Sequence, residues 1–417
     1  MTRFILLMLT MVLITGCVGE DSEESPETLT PIVSDNTGDS AEDDAEDGDQ
    51  LSTIFIAQLV AADYSSSEIA LGYIEGDEIV EGYATQTASD YSIDVYGQYL
   101  YHIGKFNIDT LTRYDSDADF LQSDYTYNLA EPESSSTNTY KLVQVAENKA
   151  YLIRYGKASV QIIDPTADED AFITGEIDLS AYNPSGRDVP SMSSAVLADG
   201  KLFVGMQRLD SGWQPTQSYI AVIDTDTDTE IDTSAEEGLK GIALNTDNLS
   251  GLTSDDDYVY ASGRGNYGDN SGALQRIDIA DYSVETLVDG TTFSSLNDVS
   301  DDGDASNDVY YHITGTAIVD DTGFVKLNRE QGYSSLNSLI YSFDTADTSV
   351  FTAVTPDALN NKKISLMTAG PDDTLWLGID SAEEPAVYIL NEAGEVQGEA
   401  LEFTMPVSEI EFMEISN

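Results

Sequence analysis

The sequence predicts an all-β fold, a seven-bladed β-propeller closed by pairing of its last strand with its first blade, and three observations predict it. A short motif recurs: "AVID" (221–224) returns as "QIID" (161–164), "TRYD" (112–115), "QRID" (275–278) and "YSFD" (341–344), with weaker copies "LGYIE" (71–75) and "VYILN" (387–391). The last residue of each copy gives intervals of 40, 49, 60, 54, 66 and 47 residues. An interval of about 50 residues holding four short strands suits one propeller blade, which cannot bury both faces alone and so stacks around a channel. The two ends are also complementary. The N-terminal unit has three strands, "STIFIAQLV", "EIALGYIEG" and "DEIVEGYAT", while the C-terminus carries one strand over, "SEIEFMEIS" (408–416). Placed innermost in the first blade, that strand removes an open sheet edge. Finally, no long window keeps a 3.6-residue period, which excludes a helical fold.

The first element along the chain is an address. "MTRFILLMLTMVLITGC" has Arg3, an apolar run from Phe4 to Ile14 too short to span a bilayer, and small residues before Cys17, which makes residues 1–16 a secretory signal peptide. The ending resembles the bacterial lipobox, which implies that Cys17 becomes an acylated, palmitate-bearing first residue. Val18 follows instead of the Asp that commonly retains lipoproteins at the inner membrane. The expected place is therefore the outer membrane of the cell envelope, in either leaflet. Cys17 is the one cysteine, so no intrachain disulfide can form. From Glu20 to Asp49 there are thirteen acidic residues and no Lys or Arg, so residues 17–50 read as a disordered, self-repelling tether. Residues 51–417 form the propeller.

Within it the recurring motif is strand c, counted outward from the axis. Strand b precedes it as "QYLYHIG", "KAYLIRYG", "KLFVGMQ", "DYVYASG", "DVYYHITG" and "TLWLGID", and strand a comes before that, as in "SSAVLADG" (193–200) and "ISLMTAGPDD" (364–373). After strand c of blade four the chain runs into "DTDTDTEID" (224–232), with counterparts "DSDAD" (115–119), "DPTADED" (164–170), "DIAD" (278–281) and "DTAD" (344–347). Asp and Thr bond their own backbone, so this ladder reads as a tight turn. "YIAVIDTDTDTEID" resembles the "VSVIDTATNTVVATI" pattern of YVTN-repeat, YncE-like propellers, and "AVLADGKLFVGMQ" resembles their strand a, turn and strand b. The likeness is best over residues 140–290. It implies a secreted, often surface-associated binding propeller with no shared catalytic set.

The chain carries 17 Lys+Arg against 77 Asp+Glu, a net charge of -60. Nucleic acid is excluded as a partner by that charge, and the membrane is met through the lipid anchor only. In this architecture b–c and d–a connections share one face. Lys105, Arg154, Lys157, Arg208, Arg264, Lys326 and Arg329 follow strand b, and Lys141, Arg187, Lys240, Lys362 and Lys363 lie before or at the start of strand a. That sorting predicts a cationic channel mouth on an acidic body, able to focus an anionic small molecule or an acidic protein segment. Arg154, Arg208 and Arg264, at comparable places in consecutive blades, are its expected core, with Lys157 beside them.

His102 and His312 are the only histidines and are expected at matching strand-b positions in blades two and six. Their placement across the ring favours hydrogen-bonded strand-end residues over a metal site, and both stay candidate ligand contacts. "DVSDDGDASND" (298–308) alternates Asp298, Ser300 and Asp302 before Gly303, with Asp304 beyond. Alternating oxygens and a glycine bend suit calcium, but Val309 stands where an EF-hand needs its closing carboxylate. Asp298, Asp302 and Asp304 are thus calcium candidates on an expected a–b turn, and no other cofactor is expected. "GRGNYG" (263–268) leaves a strand without opening a helix, so it is not a dinucleotide loop. Trp213 sits on a b–c loop where a ligand could meet it, while Trp376 reads as core. The leading expectation is a monomeric, non-enzymatic binding or scaffold propeller. The alternative is a hydrolase or lyase acting at the channel mouth, with calcium or carboxylates in the chemistry.

Overall fold

The computed structural model describes residues 51–416 apart from 75, 77, 118–121, 132–135, 234–237, 298–307 and 333. Cys17, the tether and the calcium candidates Asp298, Asp302 and Asp304 lie outside the described residues. The rest forms seven antiparallel sheets, all four-stranded except one with a fifth strand, so the blade count and the all-β class hold. In blade four that fifth strand, Ile242–Asp247, pairs beside strand c, Gln217–Asp224, where strand d is only Thr229–Glu230.

Ring closure follows from chain order. The terminal strand Val407–Ser416 is innermost in blade one and pairs antiparallel with Leu51–Val60, setting Phe412 opposite Phe55, Glu411 opposite Ile56 and Glu409 opposite Gln58. Because side chains alternate along a strand, Ile410 and Phe412 face blade seven while Glu409, Glu411 and Met413 face blade two. Seven apolar clusters hold the ring, one at each blade–blade interface; at the closing seam Trp376 packs its ring 5.4 Å from Phe55 and 5.1 Å from Phe412. Trp376 is core, as its place inside a strand implies.

The Asp-Thr ladder is a turn. Asp224 Oδ1 accepts from the amides of Asp226 and Thr227 and from the Thr227 hydroxyl. Asp115, Asp164, Asp278 and Asp344 do the same work, each accepting from the amide two residues on. An Asp that satisfies the amides of its own turn lets the chain reverse without strand partners.

Blade six departs from the sequence reading. "DVYYHITG" was expected as strand b, but Val309–Val319 is strand a and Thr322–Gln331 is strand b. The hairpin that joins them turns at Asp320, whose φ of 49° is left-handed. Three corrections follow. His312 lies on strand a and does not match His102, which lies on strand b of blade two, Tyr99–Gly104. Lys326 and Arg329 lie within strand b instead of after it. The a–b turn of blade six is at Asp320, and residues 298–307, where it was expected, lie outside the described residues.

Candidate functional site

On the face carrying the b–c and d–a connections, a cleft of about 580 Å³ opens over blades seven, one and two. Tyr64, Asp90, Tyr91, Lys105, Asp380 and Ser408 are among its lining residues. Deeper in the channel a second cavity of about 320 Å³ is lined by the innermost strands of blades five, six, seven and one, including Thr253, Thr316 and Glu409, and by Lys326. Ser365 lines both, and Ser408 and Glu409 are neighbours on the closing strand, so the mouth leads into the lumen.

The predicted cations reach this face but are held by protein groups. Arg154 is only 2% exposed; Nη1 meets Glu131 at 2.6 Å, Nη2 meets the Ser159 hydroxyl at 2.5 Å and Nε the Ser159 carbonyl at 3.1 Å. Lys157 reaches the same Glu131 at 2.7 Å. Arg208 donates to the carbonyls of Tyr182 and Gln217, both at 2.8 Å, and covers the Tyr219 ring. Arg264 pairs with Glu330 at 2.6 Å, Lys105 with Asp90 at 3.3 Å and Lys362 with Glu384 at 3.2 Å. Close pairing cancels much of the outward field, so the mouth is far less cationic than the placement of its bases suggests.

What this face presents instead is aromatic. Trp213 is 62% exposed, Tyr267 56% and Tyr64 76%. The Trp213 loop is a small hairpin: Asp210 Oδ1 accepts from the amides of Gly212 and Gln214, and Trp213 at its tip is left-handed, with φ 61°. Backbone strain of this kind is kept where the surrounding bonds over-determine it. Guanidinium groups back the rings, Arg187 at 4.3 Å from the Trp213 ring centroid and Arg264 at 4.3 Å from that of Tyr267. Within blade three Tyr140 stacks on Tyr155 at 4.9 Å, and from blade two Lys105 of the cleft lies 5.6 Å from the Tyr140 ring. Burial pushes the Tyr155 phenol up, the Arg187 charge opposes this and the Tyr267 phenol adds to it, while the Tyr155 hydroxyl donates to Gln207 at 2.9 Å. The rings therefore form one arc from the cleft across blades three, four and five. Trp213 was legible as a loop residue; Tyr64, Tyr140 and Tyr267 were not singled out, although each stands in or beside a b–c or d–a connection.

The histidines are not brought together. His102 is buried with its ring stacked on Tyr91 at 4.4 Å, and burial lowers it to about 3, so it is neutral at ordinary pH. His312 places Nδ1 3.1 Å from the Arg264 carbonyl and Nε2 3.6 Å from Glu330, with burial again lowering its pKa. Among the described residues no group of three or more His, Cys, Asp or Glu is placed to hold a metal.

The lumen holds a different charge cluster. Glu409 Oε2 accepts from the Ile93 amide at 2.9 Å, and Asp94 Oδ2 from the Leu142 amide at 2.7 Å, so carboxylates stitch the innermost strands of blades one, two and three. Lys141 lies 3.3 Å from Asp94. Burial, reinforced by the Asp94 charge and opposed by Lys141, raises Glu409 to about 7. Burial also raises Glu411 to about 8, with Lys141 opposing and Asp94 and Glu409 adding. Such groups could donate or take a proton near neutrality.

No family model matches the chain, and no curated protein matches it. Solved structures do. A periplasmic gluconolactonase of Pseudomonas aeruginosa superposes with a TM-score of 0.54 at 11% identity, covering 87% of this chain and 99% of that one. A Bacteroides fragilis protein provisionally named a 6-phosphogluconolactonase gives 0.52 at 12% identity over 89% of this chain and 100% of its own. A functionally unknown protein of Desulfotomaculum acetoxidans gives 0.51 at 10% identity over 87% and 99%. At such identities the likeness is one of fold.

Proposed function

We propose that the chain is a non-enzymatic binding propeller, held at the outer membrane by an acylated Cys17 and the tether of residues 17–50, whose mouth face takes a glycan chain of low charge. The arc of exposed rings carries the reading. Flat aromatic faces stack on the C–H faces of sugar rings, while the paired cations and carboxylates beside them bond hydroxyls. A weakly charged chain is favoured over a polyanion, because the body carries 77 acidic against 17 basic residues and the mouth cations already hold carboxylates. The YVTN-like pattern of residues 140–290 supports a secreted, surface-associated role. Affinity electrophoresis against a panel of neutral and acidic polysaccharides tests it. Retardation by a neutral glycan, lost in a Trp213→Ala/Tyr267→Ala double variant, is expected; no retardation, or equal retardation of the double variant, overturns it. Anchoring predicts palmitate labelling and membrane sedimentation that disappear in Cys17→Ser.

One observation favours the second reading, a hydrolase or lyase: Glu409 is an acid held protonated up to about 7 in the lumen. Release of reducing ends from the retained glycan, lost in Glu409→Gln, would establish that reading instead.

A further inference from the structure

Lys326 projects from strand b of blade six past Gly315 of strand a, its Cε at ordinary contact distance, 3.6 Å, from where a Cβ of residue 315 would stand. Strand a carries a register shift at this point, between Ile313 and Gly315. The ammonium is thereby delivered into the lumen cavity, where Lys326 is 8% exposed. Its hydrogen bonds are two long ones, 3.4 Å each, to the carbonyls of Ile364 and Ser365. Among the described residues its Nζ makes no ion pair with a carboxylate. A buried cation held only by distant carbonyls is unfavourable unless a counter-charge joins it. Thr314 of strand a also lines this cavity, and its hydroxyl oxygen is buried with no partner among the described residues.

We propose that the lumen is a second binding site, independent of the mouth face, which takes a small organic carboxylate seated on the ammonium of Lys326 and bonded by the Thr314 hydroxyl. A cavity of about 320 Å³ holds a molecule of metabolite size, and the mouth cleft that shares Ser365 gives it a way in. Apolar side chains of Leu252, Leu366 and Met367 line the same space and suit a short carbon skeleton. The field favours an anion on the acid side of neutrality. Glu409, the other titratable group on the cavity wall, faces Asp94, Lys141 and Lys105. Asp94 and Lys141 offset one another, and Glu409 and Glu411 are protonated below about 7 and 8. Lys326, lowered to about 8 by burial, is then charged and leaves the lumen one positive charge in excess. Raising the pH removes that charge and ionises the glutamates, so affinity falls.

The test uses the full chain, isothermal calorimetry and thermal shift with sodium acetate and sodium lactate, and sodium chloride at equal ionic strength as control. Saturable binding is expected near pH 6.5, weakening about tenfold by pH 9 as Lys326 loses its proton. Lys326→Met keeps the stem and abolishes binding, Lys326→Arg keeps it, and Thr314→Val weakens it. Binding to Lys326→Met as tight as to the parent overturns the proposal, as does a chloride effect equal to that of acetate. If Lys326→Met fails to fold, the pH profile of the parent decides: affinity that is flat or rises from pH 6.5 to 9 refutes the site. Loss of glycan retention in the mouth variants leaves carboxylate binding unchanged, which keeps the two readings separable.

Discussion

The closing strand carries a pH liability that can be measured. Glu411 lies opposite Ile56 on the seam that seals the ring, and burial, against the opposing Lys141 charge, lifts its carboxyl from 4.5 to about 8. A carboxyl whose folded pKa is raised gives stability that is fully present below its unfolded value and is lost as pH climbs through the folded one. Between pH ~6.5 and ~8.5 an unfolded carboxyl gains about 2.7 kcal/mol from ionisation and the folded Glu411 only about 0.8, so folding loses about 2 kcal/mol. Glu409 loses roughly 0.8 kcal/mol over that window while Lys326, with its folded pKa depressed, regains a similar amount, so the two cancel to first order. The histidines, lowered by burial, act mainly below about pH 6.5. Urea unfolding at the two pH values, for the parent and Glu411→Gln, isolates the effect. The parent should be less stable at the higher pH, and the variant should gain about 2 kcal/mol on it between the two conditions. Parallel pH dependences, or a parent whose stability rises with pH, would refute the assignment of a protonated Glu411 at the seam.

Other perturbations read other parts of the molecule. Trp213→Ala should change stability by less than about 0.5 kcal/mol, since the ring is exposed, while weakening glycan retention; a large loss of stability would make Trp213 a structural residue. Asp224→Ala removes the acceptor of two amides and a hydroxyl in one c–d turn and should cost about 1 kcal/mol in urea unfolding, with Asp224→Asn costing less. Arg154→Met strips the Ser159 carbonyl and Glu131 of a buried donor and should cost about 2 kcal/mol; a neutral effect would show that Lys157 alone satisfies Glu131. Ending the chain after Thr404 deletes the innermost strand of blade one and exposes Leu51–Val60 as an open edge, so limited proteolysis should cut the remainder rapidly where the parent resists.

The ring was legible because its signals are local and repeated. In five of the seven copies the motif ends in an Asp that satisfies its own turn, and that requirement leaves the same letter at the c–d corners of blades two to six. Closure was legible by subtraction, from three strands at one end and one at the other. Blade six escaped because "VYYHITG" carries the same aromatic and β-branched letters as a true strand b, and the deciding signal was the "DDTG" turn after it. Local pattern cannot rank strands a and b by their distance from the axis when both carry aromatic and β-branched residues, as Val309–Val319 and Thr322–Gln331 do. The cationic mouth was overread for another reason. Sequence places Arg154, Arg208 and Arg264 on one face, but Glu131 and Glu330, which hold two of them, come from distant positions that only the fold brings near. Pairing is a tertiary property.

The same cause separates Lys326 from its neighbours in function. The mouth bases sit at strand ends and on loops, where Glu131 and Asp90 from connections between blades and Glu330 from strand b of blade six meet them at short range. Lys326 instead starts from a strand interior and is threaded over Gly315 into a space bounded by hydroxyls and backbone carbonyls. On a chain with sixty more acidic than basic residues, a buried base without a carboxylate cannot follow from shortage of acids. The nearest wall carboxylate, Glu409, is turned to the Ile93 amide and the Asp94–Lys141 pair. An arrangement that withholds a counter-charge from one cation, while supplying one to most others, keeps that cation available for a ligand that brings its own.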